Sequence, residues 1–171
     1  MCAAAQAQPA DTTAPPRTWW VSLSSNVSQG GAGTSVGFLG ATLQAHVPLG
    51  VGPLEVQAGA SGGSTLSGGS GFSEAHVALG ATTALGPVRV SSAAGPSVAD
   101  VSGRPGGAVP ALYADARVGL VVFPPFSIGV EGFVLANRGM PVRGVGMSLA
   151  FGRQPARAVF PNPPPRPRPA R

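Results

Sequence analysis

Glu74 and His76 stand two residues apart in the stretch Phe72–Leu85, where polar and apolar side chains alternate. On an extended chain that spacing puts both side chains on one face. A carboxylate beside an imidazole, with a serine hydroxyl in reach, is the pairing that activates a nucleophile in hydrolases. The same pair also suits an internal hydrogen-bond network, and its phase, opposite the apolar row, favours that second role. His46 and His76 lack the close spacing of a metal-binding helix or loop. The Gly-rich stretches at Gly30–Gly33 and Gly68–Phe72 lack the lysine and the strand-to-helix context of a phosphate loop. Cys2, the sole cysteine, excludes an internal disulfide and has no neighbouring base. The expectation is therefore no catalytic residue, no cofactor and no metal.

The composition restricts the elements that could position these groups. In 171 residues there are 26 Gly and 19 Pro, which break helices and punctuate short strands. Charged residues make up 10% of the chain and apolar ones 43%, a balance unlike that of disordered segments. No run of about 18 apolar residues occurs, so no membrane-spanning helix is expected. An apolar chain without such a run can still enter a bilayer as a closed barrel. The net charge of +5 gathers in Arg153, Arg157, Arg166, Arg168 and Arg171, and the other Arg residues balance the six Asp and Glu. A nucleic-acid domain needs a basic face on its folded body, so no nucleic-acid partner is expected.

Period-two alternation predicts strands at about Thr18–Val27, Ser35–Val47, Leu54–Ala60, Phe72–Leu85, Val88–Gly95, Ala111–Phe123, Phe126–Ala136 and Arg143–Gly152. Tight turns fall at Pro48–Pro53, Gly86-Pro87 and Pro124-Pro125. Longer connections fall at Gln29–Gly33, Ser61–Gly71, Pro96–Pro110 and Asn137–Pro141. Short turns thus alternate with longer loops, the layout of an up-and-down barrel. Glu55, Glu74, His76, Arg89, Asp115, Arg117 and Glu131 all fall in the phase opposite the apolar row. They are expected to form a polar network inside the barrel, with Gly40, Gly59, Gly80 and Gly119 leaving room for the long Arg side chains. Trp19, Trp20, Phe123, Phe126 and Phe151 cluster at the turn end, where an interfacial aromatic girdle is expected.

The last strand is the most regular. In PVRGVGMSLAFG, Val145, Met147, Leu149 and Phe151 share one face, and Gly144, Gly146, Ser148 and Ala150 share the other. This resembles the closing strand of a bacterial outer-membrane barrel, with a lipid-facing apolar row, a small inward row and a terminal aromatic. From Thr18 to Gly152 the chain resembles the small eight-stranded OmpA/OmpX-type barrels. That resemblance implies an all-β, eight-stranded antiparallel transmembrane barrel in the outer membrane. It also implies periplasmic termini and insertion by the barrel-assembly machinery, with strand eight as the recognition end. Family roles include anchoring, adhesion, narrow pores and lipid modification. The first expectation is a non-catalytic structural or surface-interaction protein. The alternative is a narrow channel lined by Arg89, Arg117, Glu55 and Glu131, and a lipid-modifying enzyme ranks third. A lipid-active site should lie near the outer face, whereas Glu74 and His76 point inward.

The flanks read differently. Residues 1–17 lack periodicity, and Ala5-Gln6-Ala7 looks like the end of a secretory signal, as if the chain began inside one. Residues 153–171 form a Pro/Arg-rich tail suited to polyproline II or a flexible state, open to a contact in the periplasm.

Overall fold

The computed structural model describes residues 19–30, 36–65, 68–101, 107–137 and 141–152. The expectations for residues 1–17 and 153–171 lie outside them. Eight strands follow one another: β1 (Trp20–Gly30), β2 (Val36–Pro48), β3 (Leu54–Ser64), β4 (Gly71–Leu85), β5 (Val88–Val101), β6 (Val109–Phe123), β7 (Phe126–Ala136) and β8 (Val142–Gly152). Each pairs antiparallel with the next, and β8 returns to β1 from Trp20↔Gly152 to Gly30↔Val142, closing the barrel. Closure leaves no row of unpaired backbone groups, the condition a sheet must meet to sit in hydrocarbon.

One end carries the connections 49–53, 86–87 and 124–125; we call it the turn end, and the opposite one the loop end. At the β4–β5 turn, Gly86 has φ +63°, which a two-residue hairpin demands and side chains resist.

Burial follows the period-two pattern with its usual sense inverted. Met147 is 61% exposed and Ser148, beside it, 0%. Leu23, Leu43, Val77, Leu79, Val118 and Val130 point outward, while Ser22, Gln44, His76, Arg117 and Glu131 are buried in the lumen. A water-soluble barrel would hide its apolar face instead. No helix among the described residues is long and apolar enough to cross a membrane, which leaves crossing by strands untouched.

Two strands run further than their punctuation suggests. β3 continues through Gly62 and Gly63 to Ser64, and only residues 65–70 connect it to β4, held by Thr65 N–H donating to Ser70 O at 3.0 Å. β5 continues through Pro96 to Val101, so the long loop expected at Pro96–Pro110 shrinks to residues 102–108. Pro96 lacks an N–H. The β4–β5 ladder skips Gly95 and Pro96, jumping from His76↔Ser97 to Leu79↔Ala94. The missing donor therefore falls at an irregularity that does not need it.

Candidate functional site

Among the described residues, the lumen gathers both histidines and four of the carboxylates, in two histidine-centred clusters joined by glutamines. Near the turn end, Trp20 of β1 stacks on His46 of β2, with ring centroids 3.4 Å apart and planes 6° from parallel. His46 Nδ1 is 3.0 Å from Glu55 Oε1, and Trp20 Nε1–H donates to Glu55 Oε2 at 3.3 Å. On the other side of the ring, His46 Nε2 is 3.1 Å from Ser22 Oγ. In the second cluster His76 stacks on Tyr113 at 3.7 Å, and its Nδ1 is 3.0 Å from Glu74 Oε1. Ser61 Oγ–H donates to Glu74 Oε2 at 2.8 Å.

Gln44 and Gln57 tie the clusters together across the barrel. Gln44 Nε2 donates to Tyr113 OH and Asp115 Oδ2, each at 2.8 Å, and lies 3.3 Å from Glu131 Oε1. Gln57 Nε2 donates to Asp115 Oδ2 and stands 3.3 Å from His76 Nε2. Ser24 Oγ–H donates to Glu131 Oε2 at 3.1 Å, linking β1 to β7. Glycines open the space: a Cβ on Gly59 would meet Gln44 Cγ and His76 Cε1, both at 2.8 Å.

Above this polar section, toward the loop end, the lumen turns apolar. Phe38, Phe72, Ala99, Tyr113, Phe133, Leu135 and Val142 form one buried cluster. Phe38 and Phe72 meet edge to face at 5.3 Å. Gly63 and Gly144 make room for the rings: a Cβ would stand 2.8 Å from Phe72 Cε1 in one case and 2.4 Å from Phe133 Cε1 in the other. Thus Gly62-Gly63, which looks like a turn in the sequence, is a strand segment that accommodates aromatic side chains.

The expected network residues divide. Glu55, Glu74, His76, Asp115 and Glu131 take part in these hydrogen bonds. Arg117 is buried, but its guanidinium lies 5.1 Å over the Trp20 ring, and it forms no ion pair among the described residues. Arg89 needs correcting. It is the second residue of β5 and only part-buried, and its Nη1 donates at 2.9 Å to the carbonyl of Gly86 in the adjoining turn. Its side chain curls onto the turn instead of reaching the carboxylates. Trp20 needs correcting too. It is 2% exposed and stacked on His46, because it follows Trp19 directly and so takes the opposite face. Trp19, Phe123 and Phe151 do point outward at the turn end, and part-buried Phe126 stacks on Phe123 at 5.4 Å. Gly40 and Gly80 leave no room for Arg; each lies against a neighbouring strand's backbone, Gly62 O at 2.2 Å and Ser92 O at 2.8 Å from an added Cβ.

Sequence reasoning missed Ser22, Gln44, Gln57 and Tyr113. Their inward phase was readable, but the level at which they meet other strands was not. One missed set, Ser22–His46–Glu55, has the connectivity of a hydrolytic triad, with serine on Nε2 and carboxylate on Nδ1. The three are 1%, 2% and 1% exposed, so the hydroxyl is closed off from the surface in this structure. Ser22 Oγ–H also has Gln44 Oε1 at 2.8 Å as a competing acceptor. His76 has Gln57, not a serine, at its Nε2. No group of His, Cys, Asp and Glu suited to a metal ion occurs among the described residues.

No protein-family model matches the chain, and no curated protein matches it. Solved structures do. Neisserial surface protein A is similar with a TM-score of 0.61 and 10% identity, over 78% of this chain and 96% of that one. The attachment invasion locus protein Ail of Yersinia pestis, solved with the heparin analogue sucrose octasulfate, gives 0.58 and 13%, over 80% and 98%. The N-terminal β-barrel domain of Pseudomonas aeruginosa OprF gives 0.53 and 10%, over 77% and 97%. The fold of this chain is that of the small eight-stranded outer-membrane barrels.

Proposed function

We propose that this chain is a non-catalytic barrel protein of the bacterial outer membrane, which anchors its loop end at the cell surface and keeps its termini in the periplasm. The observation that carries this reading is the inverted wall around a filled lumen: an apolar exterior, and an interior crossed by Gln44 and capped by Phe38, Phe72 and Phe133. Eight-stranded barrels have interiors just wide enough for side chains, so such filling leaves no passage for solutes. The names of two similar proteins, a surface protein and an attachment protein, agree with a surface role. Trp19, Phe123, Phe126 and Phe151 would then sit at the periplasmic membrane interface. The partners in this reading are the bilayer and, during insertion, the barrel-assembly machinery acting on β8. Residues 153–171 would be free to meet a periplasmic partner.

Refolding in detergent tests the reading. The expected result is a β-type circular dichroism spectrum and a gel band that migrates faster before boiling than after. Solubility without detergent and no mobility shift would sink it. In planar bilayers the refolded protein is expected to be silent; steady conductance steps would instead favour a channel lined by Arg117, Glu55 and Glu131. Ester and phospholipid turnover is expected to be no higher for the wild type than for Ser22→Ala. Turnover lost in that variant, while the compact band is kept, would return the triad to consideration as an active site.

A further inference from the structure

Arg143 stands apart from the other charges carried by the strands. It is exposed on the outward face of β8, one residue from the loop end, and forms no ion pair among the described residues. Asp100 is the other outward charge of the described strands, three strands away at the tip of β5. Across the wall, Gln29, Arg143, Val134 and Ala114 form one outward row, and Val27, Val145, Gly132 and Ala116 form the next row toward the turn end. Gly132, Ala114 and Ala116 are small where their neighbours are branched, and the wall is indented there. The groove has a volume of ≈ 1020 Å³ and a predominantly apolar lining, with Arg143 and Gln29 at its loop-side edge.

From this we infer that the β6–β7–β8–β1 groove seats one phosphate-bearing lipid of the outer leaflet, with an acyl chain over Gly132 and the phosphate on Arg143. The inference rests on the membrane orientation proposed above. Charge complementarity selects the occupant. An arginine facing hydrocarbon is costly at mid-depth but nearly free near the interface, where its long stem carries the guanidinium to headgroup level. A neutral lipid would fill the groove without giving that cation a partner. A phosphate accepts two parallel N–H bonds from the guanidinium fork, and Gln29, its cross-strand neighbour, adds an amide donor to the same row.

The test uses the full chain refolded in detergent, with native mass spectrometry counting retained lipids. The probes are dimyristoyl phosphatidic acid and dimyristoylglycerol, which share acyl chains and differ in the phosphate, together with inorganic phosphate as competitor. Wild type is expected to retain one phosphatidic acid in preference to dimyristoylglycerol. Arg143→Gln is expected to weaken retention about fivefold, the weight of one surface arginine. Gly132→Leu should displace the lipid while keeping the arginine. A Cβ at Gly132 meets nothing closer than Gly144 O at 3.8 Å, so this variant should fold. Equal retention by Arg143→Gln and wild type would overturn the inference, as would equal retention of the two lipids. Displacement by inorganic phosphate would show an anion site without a lipid groove and would overturn it too. Should Gly132→Leu lose the compact gel band, Arg143→Gln decides alone. Loss of that band in the wild type would instead remove the membrane reading on which the groove depends.

Discussion

Gly146→Val is expected to abolish the compact, heat-modifiable form of the protein. Gly146 lies in β8 opposite Asn26 of β1, on the seam that closes the barrel. A Cβ built there would stand 1.9 Å from Ser25 O and 2.7 Å from Asn26 Cα. Both are backbone atoms, so no side chain can rotate away to relieve the contact. Overpacking a core typically costs about 1–3 kcal/mol, occasionally more, when flexible side chains yield. Here the seam itself would have to open, and the loss should exceed that range. Gly129→Val is expected to act similarly, since its Cβ would meet Val118 O at 2.3 Å. Gly132→Leu is the contrast, one strand away on the outward face with ordinary contacts. A compact band for Gly146→Val at wild-type denaturant resistance would show that the β1–β8 approach is looser than described.

Glu55→Leu is expected to lower stability by about 2–5 kcal/mol, because it takes the acceptor away from two buried donors at about 1–3 kcal/mol each. Glu55 accepts from Trp20 Nε1 and faces His46 Nδ1, and all three are at most 2% exposed. The substitution strands two buried polar groups and leaves Arg117 above the ring with one carboxylate fewer near it. The double variant Glu55→Leu/His46→Leu is expected to be nearer wild type than Glu55→Leu alone, because replacing a whole buried pair by apolar groups is far less costly than breaking it. Urea titration of the compact gel band measures both. Losses that simply add would show that the pair is not coupled.

Both predictions concern features that the sequence displayed only in part. The alternation in β8 made its two faces legible, but Gly146 looked like one more small inward residue. Its role as the point where two backbones nearly touch depends on how strongly the barrel coils at that seam. Likewise the alternation within β3 and within β2 puts Glu55 and His46 each on the inward side of its own strand, yet their contact needs the two strands in the register His46↔Gln57 and Pro48↔Glu55. Pro96 and Gly62-Gly63 misled in the opposite direction. Such residues mark turns when only local preference acts, and here ladder irregularity and aromatic packing overrode it.

The amino-acid sequence by itself determined the number of strands, their antiparallel order and the partition of side chains between wall and lumen. The reason is that this information is local: successive residues of a strand point to opposite faces, so each side chain's face follows from its own neighbours. Trp20 shows the rule at work, since its face follows from Trp19 even though its position at a strand end suggested a membrane girdle. Only the tertiary structure decided which inward residues meet, and at what height. Barrel tilt and stagger set those levels, and they bring Ser24 of β1 to Glu131 of β7 and Gln44 of β2 to Tyr113 of β6. They also bring Arg143 beside the indentation at Gly132, a juxtaposition across the outer wall that no single strand encodes.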